Sequence, residues 1–254
     1  MKPPARIRIV LDYSPLNLPA MEWTTRLAHR LQAEMDARFI EDMELFQIAQ
    51  LPFTRRGAGD FNPDILELEM VKQATQLERQ LRDLTSRNEM ALQFSRVRGR
   101  VLDEIRRACE DVSLLVLQGF QPSRPRLGTR VAAQMGDTVM VIFDGSAAAG
   151  HAVSMALQSI PPQSLHVLIQ ADDREQAREK VAQLEPLLSL SGVSGGVHTS
   201  FLPLHDGEHL IHLARLEHPA AIFVAHNNTL LADHPMRELI SALPCPLAIV
   251  GNGG

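Results

Sequence analysis

The chain writes one pattern twice. "IVLDYSP" begins at Ile9 and "VIFDGSA" at Val141, each an apolar run closed by an aspartate and a short serine-containing turn, with Asp12 and Asp144 132 residues apart. An Ala- and Leu-rich stretch at helical spacing follows each turn. A buried strand, a turn and an amphipathic helix, repeated at half the chain length, restrict the fold to two related units. The remaining elements extend the reading. In the first half, strands are expected at 7–11, 37–40, 92–97 and 113–117, with helices at 18–31, 64–87 and 101–109. In the second half, strands are expected at 138–143, 165–170, 198–203, 220–225 and 246–250, with helices at 147–158, 174–189, 207–217 and 234–242.

Strands alternating with helices at this spacing build βαβ units, hence parallel strands covered on both faces. The expected class is α/β, with two tandem Rossmann-like domains, 1–136 and 137–254. The first half offers four strands against five in the second. Either it lacks a separate fifth strand, or residues 138–143 serve both sheets. The segment 41–63 reads as mostly loop, long enough to cover a crevice or meet a partner. Leu66, Met70, Leu77, Leu81 and Leu84 form a helical stripe that packs on the parent sheet or, alternatively, binds a partner.

No apolar run reaches the ~18–20 residues a bilayer crossing needs, and the N-terminal stretch lacks the pattern of a signal peptide. Cys109 and Cys245 stand far apart in no metal or redox spacing, so reduced, buried thiols in a cytoplasmic protein are expected. Residues 1–136 carry 20 Lys and Arg against 18 Asp and Glu, whereas residues 137–254 carry 5 against 12. An anionic ligand is therefore expected in the first half, unless solvated helix faces simply differ in charge between the halves. Nucleic acid is not expected, because aromatic residues make up 4% of the chain and no lysine-rich tract occurs.

"IVLDYSP", "VIFDGSA", "SLLVLQG", "LGTRVA" and the C-terminal "ALPCPLAIV", in this order, resemble the universal stress protein family in its tandem, two-domain form. The resemblance implies an adenine-nucleotide site: ATP, with Mg, or AMP. Nucleotide-binding members carry Gly-x-x-Gly and then Gly-Ser or Gly-Thr after the fourth strand. Glycines there let backbone N–H groups approach phosphate, and a helix N-terminus follows. Carried onto this sequence, Asp12 and Ile40 meet the adenosine, with Gly119, Arg126, Gly128, Thr129 and Arg130 at the phosphates. The loop departs from the family pattern, since Pro122 replaces the second glycine and the spacing is shortened. Arg124, Arg126 and Arg130 offer side-chain contacts in place of backbone ones.

The second half's loop, "AHNNTLLADHP", has no glycine, and a degenerate site is expected there. Seven of the ten histidines fall within 198–234. Asp206-Gly207 is expected to start a helix and leave His205 off the face of His209 and His212, which argues against a metal site. No spacing brings a Ser–His–acid or Cys–His set together. The reading is a nucleotide-binding regulatory protein, a monomer with internal pseudo-twofold symmetry or a homodimer. The alternatives are a ligand-free interaction module or a weak ATPase.

Overall fold

The structure is a computed structural model describing residues 5–12, 18–49, 63–118, 138–159, 164–190, 196–233 and 236–251. In the first half, β1 (Arg6–Leu11), α1 (Leu18–Arg30), β2 (Glu34–Asp42) and α2 (Met43–Ala49) are followed by α3 (Pro63–Ser86), β3 (Leu92–Gly99), α4 (Val101–Asp111) and β4 (Leu114–Leu117). The second half runs β5 (Thr138–Phe143), α5 (Ala147–Ser159), β6 (Ser164–Ala171), α6 (Arg174–Leu190), β7 (Val197–Pro203), α7 (Gly207–Glu217) and β8 (Ala221–Ala225). It ends with α8 (Thr229–Asp233), α9 (Met236–Ala242) and β9 (Leu247–Val250).

The nine strands form one sheet in the order β3-β2-β1-β4-β9-β8-β5-β6-β7. Every pairing within a half is parallel. The pairing between halves, β4 with β9, is antiparallel, from Leu114↔Val250 to Leu117↔Leu247. The first half thus contributes four described strands, and β9 fills the place beside β4. Residues 138–143 do not serve both sheets, because β5 pairs only with β6 and β8. The last strand does the fusing instead. Because that pairing is antiparallel, the strands of the two halves end at opposite edges of the sheet.

Alternation along the buried strands divides the core into two faces. One face joins Ile7, Ile9 and Leu11 of β1 to Val139, Val141 and Phe143 of β5, under α1, α3, α5 and α6. Across the halves, Trp23 of α1 meets Phe223 of β8 edge-on at 6.0 Å. The other face holds Val10, Ile40, Ile105, Leu168 and Leu210, under α4 and α7. In α3 the buried positions are Leu66, Met70, Ala74, Leu77, Leu81 and Thr85, the spacing of one helix face. The expected leucine stripe therefore packs on its own sheet.

Two expectations change. β2 extends well beyond 37–40, and part of the expected loop at 41–63 is the end of β2 and the helix α2. The expected helix at 234–242 is preceded by the short helix α8, which the reading missed. The expected boundary at 136/137 and residues 50–62 lie outside the described residues. Gly150 sits inside α5 with room to spare, since an added Cβ would meet only Leu187 Cδ1, at 3.4 Å. Gly150→Ala is expected to stabilise the protein by about 0.5–1 kcal/mol in urea unfolding, through helix propensity.

Candidate functional site

In an open parallel sheet, a crevice forms at the carboxyl ends of strands where the chain reverses direction across the sheet. The first half proceeds from β1 outward to β2 and β3, then returns to β4 on β1's other side, so its crevice lies between β1 and β4. The second half reverses in the same way between β5 and β8.

Asp12 stands half-buried just past β1. The β1–β2 ladder ends at Leu11↔Phe39, so Asp12 lies beside Ile40. Ile40 is wholly buried among Val10, Ile105 and Leu117. Neither its main chain nor its side chain is exposed. β4 ends with Leu117 opposite Val10, which brings the chain to the same crevice. Gly119, Pro122, Arg124, Arg126, Gly128, Thr129 and Arg130 lie outside the described residues.

The second crevice repeats the first by register and differs in chemistry. β5 and β6 pair up to Phe143↔Ile169, so Asp144 faces Gln170 where Asp12 faces Ile40. Asp144 is committed on both oxygens. Its Oδ1 accepts the Ser146 N–H at 2.9 Å, closing the turn through Gly145 (φ 87°), and its Oδ2 accepts from Asn228 Nδ2 at 3.1 Å. A positive φ is a conformation glycine supplies at little steric cost. Asn228 Nδ2 also donates to Gln170 Oε1 at 2.7 Å, and Gln170 Nε2 donates to Thr229 Oγ1 at 3.3 Å. Asn228 Oδ1 accepts the Leu230 N–H at 3.0 Å as the cap of α8. Gln170 and Asn228 are fully buried, and Lys180 Nζ closes on the Gln170 carbonyl at 2.8 Å. The second crevice is filled by its own side chains. Sequence reasoning expected its degeneracy from the missing glycines but not this network.

The arginines of the first half do not form an open cationic surface around β2 and β3. Glu41 accepts from Arg96 and, at 3.0 Å, from Arg98, and Arg98 also reaches Glu67 at 2.6 Å while lying 4.8 Å from the centre of the Phe46 ring. Burial alone would raise the Glu41 carboxyl, but the hydrogen bonds and charges of the two arginines hold it below its usual value. Arg38 and Arg107 both pair with Glu104, at 3.3 and 2.6 Å. Burial pushes the thiols up, Cys109 to about 11 with help from Glu110 and Cys245 to about 12, so neither supplies a thiolate at neutral pH.

Asp206 caps α7 by accepting the His209 N–H at 2.8 Å, and His205 stands before the helix at φ 65°, off the face of His209 and His212. Among the described residues no three His, Cys, Asp or Glu side chains gather as metal ligands, and no helix is long and apolar enough to cross a membrane. An open hollow of about 780 Å³ lies at the amino ends of β2 and β3, lined by His29, Gln32, Glu34, Asn88 and Glu89 among others, at the opposite end of these strands from Asp12.

Two parallel α/β units, each with an aspartate ending its first strand and joined through the last strand, define a tandem universal-stress-type fold. The comparison with solved structures agrees. The chain is similar to a universal stress protein from Archaeoglobus fulgidus DSM 4304, with a TM-score of 0.58 and 12% identity over 96% of each chain. A putative universal stress protein from Pseudomonas aeruginosa UCBPP-PA14 aligns over 99% of this chain and 95% of its own, at 10% identity and a TM-score of 0.49. A functionally unknown protein from Pseudomonas aeruginosa PAO1 aligns over 99% and 94%, at 10% and 0.48. No family model and no curated protein matches the sequence.

Proposed function

We propose that the protein is a cytoplasmic universal-stress-type regulatory protein that binds ATP, with Mg, or AMP in the β1/β4 crevice of its first half. Asp12 accepts hydrogen bonds from the adenosine, with Ile40 beside it. Gly119, Arg126, Gly128, Thr129 and Arg130 hold the phosphates. The second half completes the sheet and binds no nucleotide. The observation that carries this reading is the contrast between the crevices. Asp144, Gln170 and Asn228 satisfy one another, whereas Ile40 stands in the first half where Gln170 stands in the second. A carboxylate at the carboxyl end of a strand beside the switch point suits the hydroxyl donors of a ribose.

Calorimetric titration of nucleotide-stripped protein with ATP, ADP and AMP tests it. One site per chain is expected, weakened about tenfold or more by Asp12→Ala and by Gly128→Asp with Thr129→Ala, and unchanged by Asn228→Ala. No saturable heat with any of the three nucleotides removes the reading.

A second reading, a ligand-free interaction module, has its own observation. Met43 and Ile48 of α2 and Ile65 and Leu68 of α3 are 42–53% exposed, a run of large apolar side chains on adjoining helices.

A further inference from the structure

Away from both crevices, the fold joins three side chains that the sequence keeps 34 and 51 residues apart. His166 of β6 lies between Ser200 of β7, with Nε2 2.8 Å from its Oγ, and Glu217 at the end of α7, with Nδ1 2.7 Å from its Oε2. Strand register explains the placement. His166 pairs with His198 and Leu168 with Ser200, so Ser200 sits diagonally across from His166 on the face that α7 covers. α7 runs back over that face, and its last residue, Glu217, meets the imidazole.

In the neutral imidazole, the ionised Glu217 carboxylate, which only accepts hydrogen bonds, places the hydrogen on Nδ1 and leaves Nε2 a lone pair for the Ser200 hydroxyl. This is the orientation a serine nucleophile needs from its base. His166 is 5% exposed, whereas Ser200 is half-buried on a strand with no described strand beyond it, flanked by the exposed His198 and Thr199.

The fold alone does not dictate this chemistry. In the first half the position of His166 is taken by Asp36, and the last residue of α4 is Asp111. There Asp36 forms a buried pair with Arg8, whose Nη1 lies 3.9 Å from Asp111. An arginine does not give up its proton, so that set cannot act as a base.

We propose that Ser200 is a nucleophile toward small activated esters entering from the open side of β7, with His166 as its base and Glu217 as a positioning residue. Ser200 Oγ bonds to the acyl carbon as its proton passes to His166 Nε2. The ester C–O bond then breaks, and the departing alkoxide or phenoxide takes that proton. Water, deprotonated in turn by His166, cleaves the acyl-serine, releasing the carboxylic acid and restoring the serine hydroxyl.

The test uses the full chain with p-nitrophenyl acetate and a fluorophosphonate probe, which traps the serine with loss of fluoride. Peptide mapping is expected to place one adduct per chain on Ser200, absent from Ser200→Ala. His166→Gln is expected to slow labelling about 100-fold or more. Glu217→Gln is expected to slow it about tenfold without moving the melting temperature, a change that packing alone does not produce. If the His166 variant fails to fold, the Ser200 and Glu217 variants still decide. No adduct, or an adduct that persists in Ser200→Ala, overturns the proposal.

Discussion

Gly251→Ala is expected to lower the melting temperature by about 6–12 °C, corresponding to a loss of about 3 kcal/mol, the upper end of ordinary overpacking costs. Gly251 follows β9 and donates its N–H to the Ser113 carbonyl at 3.1 Å. A Cβ there would lie 2.4 Å from the carbonyl oxygens of both Cys109 and Val112. Both obstacles are backbone at the end of α4, so no side chain can swing aside to make room. The methyl group must separate the end of β9 from the first half, where the β4–β9 pairing holds the two halves together. Thermal unfolding followed by circular dichroism checks it. A shift below about 2 °C would mean that α4 and β9 are not held this closely.

Asp36→Ala is expected to cost about 3–5 kcal/mol, because it removes the close partner of a buried cation and leaves only Asp111, 3.9 Å away. Arg8 is 4% exposed and Asp36 7%, with Arg8 Nε at 2.7 Å and Nη2 at 2.5 Å from the same carboxylate oxygen. Among the described residues Arg8 Nη1 has no hydrogen-bond partner, and Asp111 stands too far off to supply one. The double variant Arg8→Met with Asp36→Leu is expected to return to within about 1 kcal/mol of the parent protein or above it, since apolar groups of similar volume replace buried ion pairs without loss. Urea unfolding of the three variants separates the penalty of a stranded charge from the worth of the pair. If Asp36→Ala costs under about 1 kcal/mol, the pair is solvated and the argument fails.

That same pair shows where the sequence misled. β2 reads "EMDARFIED", and only its middle looks like a buried strand. The charges at Asp36, Arg38 and Glu41 can lie inside the sheet because Arg8, Glu104, Arg96 and Arg98 meet them from other elements. A partner 28 to 66 residues away leaves no local trace. By contrast, β5 and α7 match their expected limits at 138–143 and 207–217, because continuous apolar runs and a capped helix start are local signals. In the first crevice, only the family resemblance names Asp12 and Ile40 together, and the β1–β2 register makes them neighbours. In the second, Asn228 reaches Asp144 and Gln170 over 84 and 58 residues, and loop composition suggested degeneracy without naming what fills the space.

The two-unit α/β architecture, the strand-ending aspartates and the uneven charge of the halves are legible in the residues alone, because periodicity, turn chemistry and composition are carried by neighbours in the chain. Tertiary structure alone decided that β9 joins the halves antiparallel, that the second crevice closes on its own side chains, and that His166 stands between Ser200 and Glu217. Each depends on strand register and on which helix covers which face, and those are set by packing between segments distant in the chain.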